Sequence, residues 1–181
     1  MNSWKSINLD RQFGSQFILF LSMMTTLFSF IVIYLSISAF FPNVSMYDDY
    51  GWVLLFSVLF LYPTHKLIHY CPCILEYPKI RPALYLKWGV IPLISFKIND
   101  PIPKRLYRLT LLFPFLVLTS VFIGGAYAFP HYAHYFTILI SIHTGLCVSD
   151  FIALKCMVGS PEQSFVEETE QGYDILIFKD Y

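Results

Sequence analysis

Four long apolar runs, separated by short polar breaks and one long polar segment, set the pattern of the chain. The first, from about 17 to 41, follows a short polar lead that carries Lys5 and Arg11. It is longer than the roughly 7–15-residue core of a signal peptide and lacks a small-x-small cleavage site, so it reads as a retained membrane-spanning helix. The others run from about 51 to 69, 106 to 129 and 134 to 157, each close to the roughly 20 residues that cross a bilayer core. In the long polar segment, 84–97 (LYLKWGVIPLISFK) mixes β-branched and aromatic residues with Gly89 and Pro92, and predicts two short strands or a hairpin near the membrane. After the last run, 165–169 and 173–178 flank Glu170-Gln171-Gly172, a turn signal of the same kind. The expected fold class is membrane all-α: four transmembrane helices in one membrane domain over 1–181, with a tail over 158–181. The two strand-forming stretches are expected to join in a small cytoplasmic sheet.

Composition places this pattern in a bilayer. Hydrophobic residues make up 56% of the chain and charged residues 13%, against about 25% charged in soluble domains. The bilayer is thus the first partner, and equal totals of 12 basic and 12 acidic residues give no basic excess that would bind nucleic acid. Lys and Arg populate the lead and the long polar segment (Lys79, Arg81, Lys87, Lys97, Lys104, Arg105) and avoid 42–50 and 130–133. By the positive-inside rule, the expected protein is multi-pass in the cell membrane with both termini cytoplasmic. Tyr47, Tyr50, Trp52, Tyr127, Tyr132 and Tyr135 fall at one expected interface, and Trp4, Tyr70, Tyr77 and Trp88 at the other, where amphipathic rings prefer to sit. Gly124, Gly125 and Ala128 are expected to allow close helix packing.

The chemistry gathers near the end of the second run. His65 and His69 are four residues apart, so they share one helix face and both imidazoles can reach one metal ion. Pro63 can kink the helix just before them. In the fourth run Asp150 lies about seven residues from the end, roughly 10 Å at 1.5 Å per residue, a depth similar to that of His65. A carboxylate at the centre of a bilayer costs about 2.5–3.5 kcal/mol on insertion scales, so Asp150 should face the interior and have a partner. His143, Cys147 and Asp150 recur at spacings of four and three on one face. Two readings fit: a zinc site of His65, His69 and Asp150 with His143 or Cys147 behind it or completing it, or a metal-free polar helix contact with Lys66 paired to Asp150. Cys71, Cys73 and Cys156 read as structural or interfacial cysteines, since Cys71-Pro72-Cys73 lacks the second pair of a zinc ribbon.

His65-x-x-x-His69, Pro114-Phe115 and Ser149-Asp150 together resemble the putative zincin peptidases, small bacterial membrane proteins with a core like that of site-2-protease intramembrane metallopeptidases. In that pattern the first motif reads His-Glu-x-x-His and the last Gly-Asp. The resemblance implies His65, His69 and Asp150 as metal ligands and Lys66 in the place of the catalytic glutamate. It implies further that a substrate or partner segment would add to the juxtamembrane strands. The expected function is a non-catalytic relative that binds a membrane-protein or peptide segment. An active peptidase using Glu76, Asp150 or Glu167 as base, and a small transporter or lipid-binding bundle, are the alternatives.

Overall fold

The computed structural model describes residues 2–76, 81–87, 91–97, 101–169 and 172–177; Tyr77, Trp88, Gly89, Glu170 and Gln171 lie outside them. Among the described residues, four helices are long and apolar enough to cross a membrane: Ser15–Phe40, Gly51–Ile74, Lys104–Ala128 and Pro130–Met157.

The first, α2 (Ser15–Phe40), contains no charged residue, glycine or proline. It follows α1 (Leu9–Phe13), whose first turn is capped by Asn8 Oδ1 accepting from the Arg11 amide at 3.0 Å. Gly14, at φ +80, turns the chain from one helix into the next. The second span comprises α3 (Gly51–His69) and the short α4 (Cys71–Glu76), and the third is α5 (Lys104–Ala128). The fourth is interrupted: a 3-10 turn at Pro130–Tyr132 leads into α6 (Ala133–Leu146), and after a break at Cys147 the chain continues as α7 (Val148–Met157).

The helices pack as α2 on α6, α6 on α5, and α3 on both α5 and α6. The small residues at these contacts differ from those expected. A Cβ at Gly125 would run into the Phe136 ring, but Gly124 faces open space and Ala128 is exposed. Among the described helix glycines the tightest approach is at Gly145, where a Cβ would collide with Thr26 Oγ1 and the Ser22 carbonyl of α2.

The strands form two sheets rather than the single one expected. Among the described residues, β2 (Arg81–Lys87) pairs only with β3 (Ile91–Lys97), antiparallel and with Arg81 opposite Lys97. The other sheet has the order β1-β6-β5-β4, made by Asn2–Ile7, Gly172–Ile177, Phe165–Thr169 and Ile102–Pro103, all antiparallel. The polar lead is therefore a strand. Burial explains this pairing: Ile7, Ile102, Val166, Tyr173 and Ile175 form one core cluster with Tyr107 and Leu111 of α5 and Ala153 and Met157 of α7, so this sheet covers one end of the bundle. Gly172 permits the approach of β1, since a Cβ there would strike the Ile7 carbonyl. The sheet ties residues before the first span to residues after the last, at the same end of the bundle.

A buried lysine fastens the same end. Lys104, at the start of α5, is 2% exposed and donates from Nζ to the Ser160 carbonyl at 2.6 Å and to Glu162 Oε1 at 3.2 Å, while Arg108 reaches Glu162 Oε2 at 2.7 Å. These contacts, with the Lys104 hydrogen bond first among them, hold the Glu162 carboxyl below its ordinary range.

Candidate metal centre

His65 and His69 lie one turn apart on α3, and their Nε2 atoms are 3.1 Å apart. Asp150, in the first turn of α7, comes up against both: Oδ2 is 3.2 Å from His65 Nε2 and Oδ1 is 3.5 Å from His69 Nε2. The break at Cys147 does not separate the fourth-span residues, because the amide of Cys147 still bonds to the His143 carbonyl and that of Phe151 to the Cys147 carbonyl. The side chains of His65, His69 and Asp150 are only 3%, 11% and 8% exposed.

The proton on His69 is placed by the backbone. Its Nδ1 lies 2.8 Å from the Thr110 carbonyl, which can only accept, so Nδ1 carries the hydrogen and a neutral ring presents the Nε2 lone pair to the site. Pro114 explains why that carbonyl is available. In α5 the amide of residue 114 would bond to the oxygen of residue 110, and proline has no amide hydrogen. Pro114 is fully buried within α5 and leaves the Thr110 oxygen without its helical donor. No role for this proline follows from the sequence unless the spacing of four back to Thr110 is linked to a histidine on another helix.

His143 and Cys147 stand on the far side of His65. His65 Nδ1 is 3.2 Å from His143 Nε2, Cys147 Sγ is 3.5 Å from that same nitrogen, and His143 Nδ1 is 3.5 Å from Thr119 Oγ1 of α5. Lys66 does not pair with Asp150. One residue along a helix is about 100° around its axis, so Lys66 is turned away from the face that His65 and His69 share, and among the described residues it has no ion pair or hydrogen bond.

Lys66 instead stands between two cavities. One, of about 670 Å³, is a mostly apolar cleft between α2, α3 and α6 that reaches His65; the other, of about 220 Å³, lies beside His69 and Asp150 beneath the sheet. Lys66 and Ser149 line both. Asp150 is the only carboxylate among the described residues that line them. Of the other carboxylates considered as bases, Glu167 stands opposite Asp174 on the sheet and lines neither cavity, and the Glu76 side chain lies outside the described residues.

The donor set fits a divalent ion such as zinc. With Zn–N near 2.0–2.1 Å, a tetrahedral ion separates two ligand nitrogens by about 3.3 Å, close to the 3.1–3.5 Å among the two Nε2 atoms and the carboxylate. Asp150 Oδ2 is buried, and although it is near His65 it has no hydrogen bond of acceptable geometry among the described residues. A buried carboxylate oxygen without a hydrogen bond, beside two imidazole nitrogens, is a donor set that a cation would satisfy.

Residues 58–165 match the model of a family described as putative zincin peptidase. No curated protein and no solved structure matches the chain.

Proposed function

The chain belongs to the putative zincin peptidase family, and from that premise we propose a membrane protein with a zincin-like core that holds zinc on His65, His69 and Asp150 but does not hydrolyse peptides. It binds a membrane or juxtamembrane peptide segment instead. Zinc, when bound, supplies a positive charge that polarises a carbonyl and acidifies water. Hydrolysis also needs a side chain that takes up a proton and delivers it to the leaving nitrogen, a contribution of about 10²–10⁴-fold.

The observation that carries the reading is Lys66. It stands next to His65, where the family that the chain resembles carries glutamate, and it lines both cavities at the triad, where among the described residues the only other charged group is Asp150. An ammonium donates a proton but does not accept one, and Asp150 is committed to the ion. What remains is binding. β3 lies against α3, so an extended segment added to the β2–β3 sheet would be carried close to the helix that bears the histidines.

The test is to reconstitute wild type and Lys66→Glu with zinc and a library of transmembrane-segment reporters. The expected result is cleavage confined to Lys66→Glu. Efficient, chelator-sensitive cleavage by the wild type would overturn the non-catalytic reading. The proposed orientation, with both termini cytoplasmic, is tested in a background without native cysteines. Ser45→Cys should react with an impermeant reagent from outside, and Gln163→Cys only after the membrane is opened; the reverse pattern refutes it.

A further inference from the structure

One imidazole stands between two donor sets. His65 turns Nε2 toward His69 and Asp150, and Nδ1 toward His143 Nε2, which in turn lies beside Cys147 Sγ. His65, His143 and Cys147 each offer a donor atom within 4.8 Å of the other two. All three are buried, at 3%, 0% and 1% exposed. A tetrahedral ion with metal–nitrogen distances near 2.0–2.1 Å and metal–sulfur near 2.3 Å separates nitrogen from nitrogen by about 3.3 Å and nitrogen from sulfur by about 3.5 Å. The observed separations are 3.2 Å and 3.5 Å.

Hydrogen bonding alone accounts for this cluster poorly. His143 Nε2 has either one hydrogen or one lone pair, and two neighbours, His65 Nδ1 and Cys147 Sγ, converge on it. If His143 Nδ1 carries the hydrogen toward Thr119 Oγ1, Nε2 presents its lone pair, as a metal ligand must.

We propose that His65 Nδ1, His143 Nε2 and Cys147 Sγ form a second metal site, selective for the soft monovalent ion Cu(I), that competes with the first triad for His65. Softness and the charge of the donor set both suit Cu(I). Thiolate with imidazole suits copper or zinc, and one thiolate with two neutral rings balances a monovalent ion without drawing on the Asp150 carboxylate, which stays with His65 Nε2. Binding displaces the Cys147 thiol proton, which leaves to water; no electron is transferred. The competition follows from the single hydrogen on a neutral His65. An ion on Nε2 places the hydrogen on Nδ1 and blocks the second site. An ion on Nδ1 places it on Nε2, facing Asp150 Oδ2, the carboxylate oxygen that otherwise has no hydrogen bond among the described residues.

The second site does not depend on the zinc assignment, but the competition rests on it. The experiment uses the full chain in nanodiscs, with Cu(I) delivered anaerobically from a buffering chelator and zinc followed separately. Wild type is expected to take up one Cu(I) per chain with sulfur in the copper shell by X-ray absorption, and Cu(I) added to zinc-loaded protein should expel zinc one for one. Cys147→Ser, close in shape to the native residue, should keep zinc and lose Cu(I) affinity by at least about 100-fold, beyond the usual effect of losing an outer partner. Asp150→Asn should lose zinc and keep Cu(I). A variant with Cys71, Cys73 and Cys156 all replaced by serine should retain Cu(I). The site is refuted by no Cu(I) uptake, by unchanged affinity in Cys147→Ser, or by loss in the triple variant. Full occupancy of both metals on one chain refutes the competition, and failure to bind zinc refutes the first-site reading while leaving the second to its own test.

Discussion

The first and last spans have similar apolar composition but opposite surroundings. In the most apolar stretch of α2 no residue is fully buried, whereas in that of the α6–α7 span 56% of the residues are. The difference lies in how polar groups are placed. Both spans return hydroxyls to their own backbone, Ser36 to Val32 in α2 and Thr137 to Ala133, Ser141 to Thr137 and Thr144 to Ile140 in the last span, but the last span also turns His143, Cys147 and Asp150 toward α3. α2 contributes only small polar residues at one seam, Ser22 and Thr26, and surrounds them with large apolar side chains that remain exposed. In lipid, hydrophobicity gives helices no reason to prefer one another over the tails. Polar groups and close packing decide which helix becomes the interior.

The sharpest way to break this contrast is to remove the carboxylate. Asp150→Asn should abolish zinc, expected at close to one ion per chain in the wild type by elemental analysis, because two imidazoles alone hold the ion poorly. His65→Ala should do the same. Leu27→Ala in α2, which takes a large side chain from an exposed position, should leave the metal content unchanged. Zinc that survives both Asp150→Asn and His65→Ala would mean that other residues bind it.

The convergence of His65, His69 and Asp150 was more legible in the sequence than the sheet, for physical reasons. A spacing of four places His65 and His69 on one face, and counting 1.5 Å per residue from the helix ends brings Asp150 to their level. In the sequence, Asn2-Ser3-Trp4-Lys5-Ser6 of strand β1 lacks the apolar alternation of a half-buried strand and so reads as a polar lead. It becomes a strand because β6 offers it an edge and Ile7 inserts into the core cluster. The break at Cys147 leaves no signal in Leu146-Cys147-Val148, which has neither glycine nor proline. Gly124 and Gly125 stand as a pair in the sequence, yet Gly145, alone in its helix, marks the closer approach, because only the tertiary fold sets Thr26 against it.

Gly145 supplies the second test of the contrast. Gly145→Val should push α2 away from α6, since the Thr26 side chain can rotate but the Ser22 carbonyl is backbone. Overpacking of this kind costs about 1–3 kcal/mol, measurable as a lower thermal midpoint in detergent, while zinc stoichiometry should hold because α2 contributes no residue to the triad. If α2 is the peripheral helix that its exposure indicates, stability falls and metal binding does not. Loss of zinc in Gly145→Val would show that the first span also maintains the site.

The smallest effect, and the most specific, is expected at Pro114. Pro114→Ala restores an amide hydrogen aimed at the Thr110 carbonyl, so the helix competes with His69 for the same oxygen. A carbonyl oxygen can accept two hydrogen bonds, so His69 need not be released altogether; its Nδ1–H bond weakens, and the preference for the tautomer that bares Nε2 weakens with it. Loss of such outer partners typically lowers metal affinity by about 10–100-fold, and the lower end is expected here because the competitor leaves the oxygen in place. A modest α5 straightening would shift fold and site together, so the discriminating measurement is paired: zinc affinity should fall by about tenfold, in the lower part of that range, while thermal stability stays equal or rises as the helix gains a hydrogen bond. Nitrogen chemical shifts of His69 in the zinc-free protein should move from the Nδ1–H pattern toward a mixture of tautomers. Unchanged zinc affinity with the His69 tautomer intact would show that His69 is oriented by its packing on α3 rather than by the carbonyl that Pro114 sets free.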